Sequence, residues 1–161
     1  MEEKLDIITI GESLIELSSD ERLESAECLT KYYGGDALAT AVSAQRMGSK
    51  VGFITRIGCD VFKDYLLDSW RSEGLDISQV RISSEPNGIY FIARPNLHEK
   101  EFAYYRKKIA PSKLSLDDIS VDYIKSASIV YASGVTQSLS LSAAEAVSEA
   151  YRIAKENGVL T

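Results

Sequence analysis

Histidine is nearly missing from this chain, and with it the common routes to nucleophilic catalysis. His98 is the only histidine among 161 residues, and its polar surroundings are typical of a solvated loop. A Ser-His-Asp triad or a Cys-His pair therefore has almost no room. The phosphate-binding patterns G-x-x-x-x-G-K-[ST] and G-x-G-x-x-G after a strand are also missing. Motifs alone thus assign no catalytic residue and no metal ligand.

Cysteine and long apolar runs are scarce as well. Cys28 and Cys59 lie far apart and match no metal-binding or redox spacing. The apolar runs are a handful of residues long, far short of the ~20 that a membrane-spanning helix needs. The first residues lack the basic and then apolar layout of a signal peptide. We therefore expect a protein of the reducing cytoplasm with no membrane partner.

Positive charge is limited too, since the formal net charge is −6. The one basic cluster is Arg106–Lys108, beside Lys100 and Lys113. Nucleic-acid backbones require many clustered Lys and Arg side chains, so nucleic acid is not expected as a partner. A small anionic substrate stays open, because one arginine in a pocket suffices to bind it.

What the chain does have is the composition of a folded domain, with 45% hydrophobic and 26% charged residues. The first half predicts a strand, a shorter strand, a helix, a strand and a helix, at residues 5–10, 14–17, 37–47, 51–57 and 61–73. Strands that alternate with helices indicate crossover connections. They therefore predict an α/β fold with a mostly parallel sheet.

The middle of the chain changes character before the alternation returns. Two extended runs, at 89–94 and 101–106, are joined by a polar loop and predict a β-hairpin. A further strand is predicted at 128–132. Ser142 and Glu145 have capping-box spacing and predict the start of a helix that ends at 157–158. Residues 159–161 read as the beginning of another strand, so we expect an unfinished crossover unit and a truncated domain.

Two groups of residues are candidates for ligand binding. Gly34-Gly35-Asp36 precedes a helix, where glycines allow close backbone approach and free N–H groups attract hydroxyl or anionic ligands. A simple tight turn is the alternative. Tyr104 and Arg106 share one face of a strand, and a phenol beside a guanidinium suits a ligand with hydroxyl groups and a carboxylate. The alternative is an exposed edge strand.

Taken in order, the segments resemble the ribokinase-like (PfkB) carbohydrate kinases over essentially the whole chain. The motifs that carry the resemblance are Ile8–Leu17, Tyr33–Ala41 with Arg46–Gly48, Ile57–Phe62, Glu73–Asp76, Tyr104–Arg106 and Ala132–Thr136. The last two favour the 2-keto-3-deoxygluconate kinase branch. Each motif is weak by itself, and the specificity lies in their order and spacing.

This resemblance implies a Rossmann-like, mostly parallel sheet with helices on both faces, and a small β-sheet lid from residues 14–34 and 82–107. The lid often serves for homodimerisation in that family. The implied reaction transfers the γ-phosphate of ATP, with Mg²⁺, to a hydroxyl of a sugar or sugar acid, here 2-keto-3-deoxygluconate. The residues that would bind the sugar are Gly34, Gly35, Asp36, Tyr90, Tyr104 and Arg106. Arg106 would pair with the carboxylate, and the tyrosines would bind hydroxyl groups.

The sequence also departs from the family pattern. Ala39 stands where an asparagine is usual, and Ile109–Pro111 replaces a common Ser-Ala-Ala run. The G-A-G-D segment, which supplies the anion hole and the catalytic base, is missing, so the base is expected beyond Thr161 with most of the nucleotide site. We therefore expect residues 1–161 alone to be inactive. A non-catalytic sugar-binding or dimerisation module and an unrelated α/β nucleotide-binding regulator stay open.

Overall fold

The computed structural model describes residues 4–161, and within them it has eight strands and five α-helices. The strands are β1 (Leu5–Ile10), β2 (Leu14–Ser19), β3 (Thr30–Gly34), β4 (Val51–Gly58), β5 (Val80–Ser83), β6 (Gly88–Ala93), β7 (Glu101–Tyr105) and β8 (Ala127–Ala132). The helices are α1 (Asp36–Arg46), α2 (Lys63–Glu73), α3 (Val121–Lys125), α4 (Gly134–Gln137) and α5 (Leu141–Glu156). In this described part, no helix has the length and apolar character to cross a membrane.

The main sheet has four parallel strands in the order β5-β4-β1-β8. β1 is an inner strand, and its residues Ile8, Thr9 and Ile10 are buried, as expected for a strand covered on both faces. Ile8 and Ile10 pack in one core with α5. Phe53 and Ile57 of β4 pack in a second core with α1 and α2. The predicted Rossmann-like α/β class, with helices on both faces of a parallel sheet, is therefore confirmed.

A second sheet holds the remaining four strands of the described chain, in the order β3-β2-β6-β7. β2 and β6 run parallel, whereas β2–β3 and β6–β7 are antiparallel. The β6–β7 pair is the predicted hairpin, with Tyr90 opposite Tyr104. All four strands fall within residues 14–34 and 82–107, for which a lid is predicted. Their action as a lid stays a prediction.

A buried amide, that of Asn87, joins the two sheets. Its oxygen accepts a hydrogen bond from the Gly58 N–H at 3.0 Å, and its NH₂ group donates to the Gly58 carbonyl at 3.3 Å. The carboxylate of Asp60 accepts from the Asn87 backbone N–H and from its side chain, both at 2.7 Å. The end of β4 and the start of β6 are thus held by one polar cluster.

Several details differ from the sequence prediction. The predicted capping box at Ser142 is wrong: Ser140 is the N-cap of α5 and accepts from the Ala143 N–H at 3.1 Å, so Ser142 lies inside the first turn. β3 and β5 were not predicted. Both are short edge strands with exposed residues, so they lack the apolar run that marks a buried strand.

The strand predicted to begin at residue 159 is present as a single bridge. Leu160 pairs in parallel with Ile129 of β8. Its N–H donates to the Ser128 carbonyl at 3.0 Å, and its carbonyl accepts from the Val130 N–H at 2.8 Å. The main sheet therefore continues past β8 at this residue.

Candidate functional site

Glu12 lies in the short connection between β1 and β2, where the two sheets meet. It is only 3% exposed. Its Oε1 lies 2.8 Å from Nη2 of Arg106, the residue after β7. Its Oε2 is buried and has no hydrogen-bond partner in the described chain. Burial raises the pKa of Glu12 above its ordinary value, and the guanidinium of Arg106 acts in the opposite direction.

The Gly34–Gly35 turn lies against this ion pair and leads into α1. Gly35 has a φ of 132°, and a Cβ atom there would overlap the carbonyl oxygen of Glu12. Only glycine therefore allows the turn to approach Glu12 so closely. Gly35 is also the N-cap of α1, so the unpaired N–H groups of the first turn and the carboxylate of Asp36 lie beside the same space.

Aromatic side chains from β6 and β7 form the opposite wall. Tyr90 stacks on Tyr104 with ring centroids 5.6 Å apart, and Phe102 stacks on Tyr104 at 6.0 Å. The Tyr90 hydroxyl donates a hydrogen bond to the carboxylate of Glu16 on β2. Burial and this hydrogen bond raise the pKa of Tyr90 well above its ordinary value. Tyr90 is thus a neutral phenol whose oxygen can still accept a hydrogen bond.

Together these groups border an open cavity of about 270 Å³. Its lining residues are Glu12, Leu14, Gly35, Asp36, Tyr90, Phe102, Tyr104, Arg106 and Val135. The cavity thus combines aromatic faces, two acids, two phenols and one guanidinium. This chemistry suits a small ligand that carries several hydroxyl groups and a negative charge.

Two larger cavities adjoin this site. One, of about 490 Å³, is lined by Gly34 and by the apolar side chains of Leu38 and Val42. Its guanidinium, that of Arg46, is already bound by Glu73 at 2.8 Å. This cavity therefore lacks a free charged group to orient a polar ligand.

The other cavity, of about 740 Å³, shares Arg106 with the candidate site and is also lined by Lys107, Lys108 and Lys113. One of these lysines, Lys113, lies 3.4 Å from Glu85. Basic side chains of this kind suit phosphate groups. By contrast, no group of three His, Cys, Asp or Glu side chains within residues 4–161 could hold a metal ion.

Five of the six candidate residues from the sequence line the 270 Å³ cavity, and Gly34 lies just behind Tyr90. Arg106 pairs with Glu12, whose carbonyl oxygen adjoins Gly35, and the Arg106 side chain is 31% exposed. Glu12 and Glu16 were not predicted as site residues. The period-two alternation of β2 could have found Glu16, because it places residues 14 and 16 on one face. The burial of Glu12 follows from the meeting of the sheets, which no local pattern shows.

Comparison with known proteins identifies the family of this chain. Residues 4–161 match the sequence profile described as pfkB family carbohydrate kinase. The chain belongs to the pfkB family. The resemblance seen in the sequence motifs is therefore confirmed, and the two-sheet arrangement is that of a pfkB kinase.

Named relatives narrow the comparison. The pfkB chain is 33% identical to the 5-dehydro-2-deoxygluconokinase of Clostridium perfringens, over 98% of its own length and 48% of that protein. It is 32% identical to the 2-dehydro-3-deoxygluconokinase of Thermoproteus tenax, over 96% of this chain and 49% of that protein. A crystal structure of a PfkB protein from Polaromonas sp. JS666 superposes with a TM-score of 0.91 at 30% identity, covering 96% of this chain and 53% of that one. The chain thus spans about half the length of the relatives it matches.

One of the motifs that indicated the pfkB family, Glu73–Asp76, makes contacts that hold the fold together. Glu73 accepts hydrogen bonds from Tyr33 at 2.6 Å and from Arg46, so it holds β3 and α1 against the end of α2. Gly74 ends α2 with a φ of 84°. Asp76 accepts from the Tyr123 hydroxyl at 2.9 Å. These residues shape the fold around the site and do not line the cavity.

The two departures from the family pattern have different surroundings. Ala39 is exposed on α1 and lines the 490 Å³ cavity. Ile109 and Ala110 are buried at the start of a 3₁₀ turn, and the Ala110 N–H donates to the Pro86 carbonyl at 2.9 Å. The change at 109–111 therefore lies in a packed part of the structure, whereas the change at Ala39 lies on an accessible surface beside Gly34.

Proposed function

We propose that this chain forms the sugar-binding half of an ATP-dependent kinase that phosphorylates a hydroxyl group of a sugar acid. The observation that carries the proposal is the cavity in which Arg106 lies opposite the stacked phenols Tyr90 and Tyr104. The names of the two relatives support it, because both describe kinases of a dehydro-deoxygluconate. A gluconate carries one carboxylate.

Each candidate residue has a role that its surroundings allow. Arg106 pairs with the sugar carboxylate in a charge-assisted hydrogen bond. Tyr90 and Tyr104 bind hydroxyl groups, and Asp36 accepts a hydrogen bond from another. Gly34 and Gly35, which add no side chain to the cavity, let the sugar approach the start of α1.

The substrate that we propose first is 2-keto-3-deoxygluconate. Its 5-keto-2-deoxy isomer, in the form in which the C. perfringens relative is named, is the second candidate. Both carry the carboxylate that Arg106 requires. Comparison of kcat/KM for the two isomers under identical conditions decides between them.

ATP supplies the phosphoryl group in this proposal. Lys107, Lys108 and Lys113, beside Arg106 in the 740 Å³ cavity, would hold its phosphates, since such basic groups neutralise phosphate charge. The described residues offer no ligand cluster for Mg²⁺, so no role for the metal is assigned to them. We expect the catalytic base in the part of the relatives that this chain does not span. Residues 1–161 alone would therefore bind sugar without phosphorylating it.

The same proposal includes the setting of the enzyme. We place it in the cytoplasm, where a sugar acid and ATP meet.

We also propose a homodimer through the second sheet, whose aromatic residues Tyr32, Phe102 and Tyr104 are each about half exposed. Such an apolar sheet face favours burial against a second copy.

Arg106→Ala in the complete enzyme tests the proposal. A charge-assisted hydrogen bond contributes roughly 1.5–3 kcal/mol, so KM for 2-keto-3-deoxygluconate should rise about ten- to a hundred-fold. KM for a neutral sugar such as fructose should hardly change. Steady-state kinetics on both sugars measure the difference.

The matched control for this test is Arg71→Ala. Arg71 is an exposed arginine on α2 that pairs with the neighbouring Asp68 at 2.8 Å, and an exposed pair of this kind contributes little. Its loss should leave both KM values unchanged. An equal effect of Arg106→Ala on acidic and neutral sugars, or no effect on either, would contradict the sugar-acid assignment.

A further inference from the structure

Glu12 is a buried acid with only one of its two carboxylate oxygens paired within the described part of the chain. Its Oε1 lies 2.8 Å from Arg106, while Oε2 is fully buried and has no hydrogen-bond partner among residues 4–161. An ionised carboxylate normally needs partners for both oxygens when it is buried. The ionised form of Glu12 therefore depends strongly on its one contact with Arg106.

The charges around Glu12 make that contact vulnerable. Among residues 4–161, Arg106, after β7, is the one cation that lines the cavity, and Asp36, at the start of α1, is a second acid there. The other ionisable groups of the cavity are the phenols of Tyr90 on β6 and Tyr104 on β7, while α4 contributes only Val135. Burial and the charge of Asp36 already raise the pKa of Glu12, and Arg106 alone lowers it.

A sugar carboxylate that binds Arg106 brings a third negative charge next to one positive charge. Neighbouring carboxylates repel one another when all of them are ionised, and the repulsion is stronger where water is excluded. Glu12 is the more buried of the two protein acids in the cavity, since Asp36 is exposed. The sugar acid itself is a strong carboxylic acid and stays ionised. Glu12 is thus the group that gains most from becoming neutral.

We infer that Glu12 takes up one proton from solvent when a sugar acid binds, so that Arg106 passes from the Glu12 carboxylate to the carboxylate of the ligand. This inference rests on the proposed function, because it needs an acidic ligand at Arg106. No covalent bond changes: the guanidinium exchanges one carboxylate for another, and the proton neutralises the displaced one. Glu12 then acts as a specificity residue, since a neutral sugar leaves the Glu12–Arg106 pair intact and takes up no proton.

The consequence for binding has a definite sign. Where free Glu12 is ionised and ligand-bound Glu12 is protonated, the affinity for a sugar acid should fall about tenfold for each unit of rising pH. The affinity for a neutral sugar should not follow this slope. In Glu12→Gln the amide takes the place of the protonated acid, so the sugar acid should bind at least as tightly as to the unmodified protein. The affinity of this variant for the sugar acid should no longer fall with rising pH.

Titration calorimetry on the complete protein measures this directly. Binding of 2-keto-3-deoxygluconate and of fructose is followed between pH 6 and 9 in buffers that differ in ionisation enthalpy, which counts the protons taken up. We expect uptake of up to one proton per sugar acid, none per fructose, and none per sugar acid in Glu12→Gln. Glu145→Gln, an exposed glutamate on α5, is the matched control and should behave as the unmodified protein.

The outcomes separate this inference from the proposed function. A sugar acid that binds with no proton uptake overturns the role of Glu12 and leaves the sugar-acid proposal standing. Failure of any sugar acid to bind overturns both. The proton count on the unmodified protein decides the question even if Glu12→Gln fails to fold.

Discussion

At the scale of single residues, Gly34 shows how closely the candidate site is packed. A Cβ atom at this position would lie 2.5 Å from the hydroxyl oxygen of Tyr90. Gly34→Ala should therefore lower the free energy of unfolding by about 1–3 kcal/mol, the typical cost of overpacking. It should also weaken sugar-acid binding, because the Tyr90 ring is displaced from Glu16. Binding measured by calorimetry, together with thermal unfolding, checks this expectation.

A second substitution serves as the control for Gly34→Ala. Tyr90→Phe removes the oxygen nearest to the new methyl group, so Gly34→Ala should destabilise the protein less in the Tyr90→Phe background than alone. A double-mutant cycle on the free energy of unfolding measures the coupling. Additive effects would show that the glycine matters for another reason than contact with Tyr90.

Glu73 predicts a dependence of stability on acid. Hydrogen bonds from Arg46, and next from Tyr33, hold the pKa of Glu73 at about 2, below its ordinary value of 4.5. A lowered folded-state pKa stabilises the protein above pH 4.5, and this stabilisation is lost as pH falls from 4.5 towards 2. Glu73→Gln should therefore unfold more easily at neutral pH, and its difference from the unmodified protein should disappear near pH 2.

Urea unfolding at a series of pH values measures this effect. Glu145→Gln provides the control, since that side chain is exposed on α5, and it should leave the profile unchanged. A constant difference between Glu73→Gln and the unmodified protein down to pH 2 would contradict the proposed role of ionised Glu73.

The residues of the site were only partly accessible from the sequence. The glycine pair and the Tyr104–Arg106 pair could be proposed because turn chemistry and strand alternation are local properties. Glu12 lies in a connection with no such pattern, and its burial arises from the packing of two sheets. Glu16 acquires its role from Tyr90, which is 74 residues away along the chain, so its partner could not be read from neighbouring residues.

At the scale of elements, the junction between β4 and β6 depends on Asp60. Its carboxylate accepts two hydrogen bonds from Asn87 at 2.7 Å and one from the Phe62 N–H at 3.0 Å. Asp60→Ala leaves these donors without partners and should lower the free energy of unfolding by about 1–3 kcal/mol. It should also weaken sugar-acid binding, because β6 carries Tyr90 into the cavity.

Asp64→Ala is the matched control for the junction. Asp64 is 82% exposed and lies 3.4 Å from Lys63, so its removal should change stability by less than about 0.5 kcal/mol. Chemical denaturation compares the two variants. Equal stability of Asp60→Ala and Asp64→Ala would mean that the polar cluster does not hold the sheets together.

The elements themselves divide by burial into those that could be predicted and those that could not. β1, β4 and β8 are central or apolar strands, and α1, α2 and α5 carry apolar faces, so their periodicity marks them. β3 and β5 take their strand form from a neighbour's hydrogen bonds rather than from their own composition. The start of α5 was misplaced because Ser140 and Ser142 both offer a hydroxyl, and only Ser140 has the extended backbone of an N-cap.

At the scale of the whole molecule, the exposed aromatic face of the second sheet predicts self-association. Phe102 is 49% exposed and stacks on Tyr104. Phe102→Asp should place a charge in the interface and shift the protein from dimer to monomer in sedimentation experiments. Val61→Asp, at a residue that is 88% exposed before α2, should stay dimeric. A monomeric unmodified protein at high concentration would contradict the dimer.

The central position of β1 also has a consequence for biosynthesis. Leu5 pairs with Ala127 across the β1–β8 edge, so the first strand made must wait about 120 residues for its second neighbour. At the usual rate of synthesis, 5–20 residues per second, this delay is roughly 6–25 s. During that time one edge of an apolar strand is uncovered on the ribosome. We expect nascent chains that end before β8 to be bound by chaperones, and chains that include it to be released.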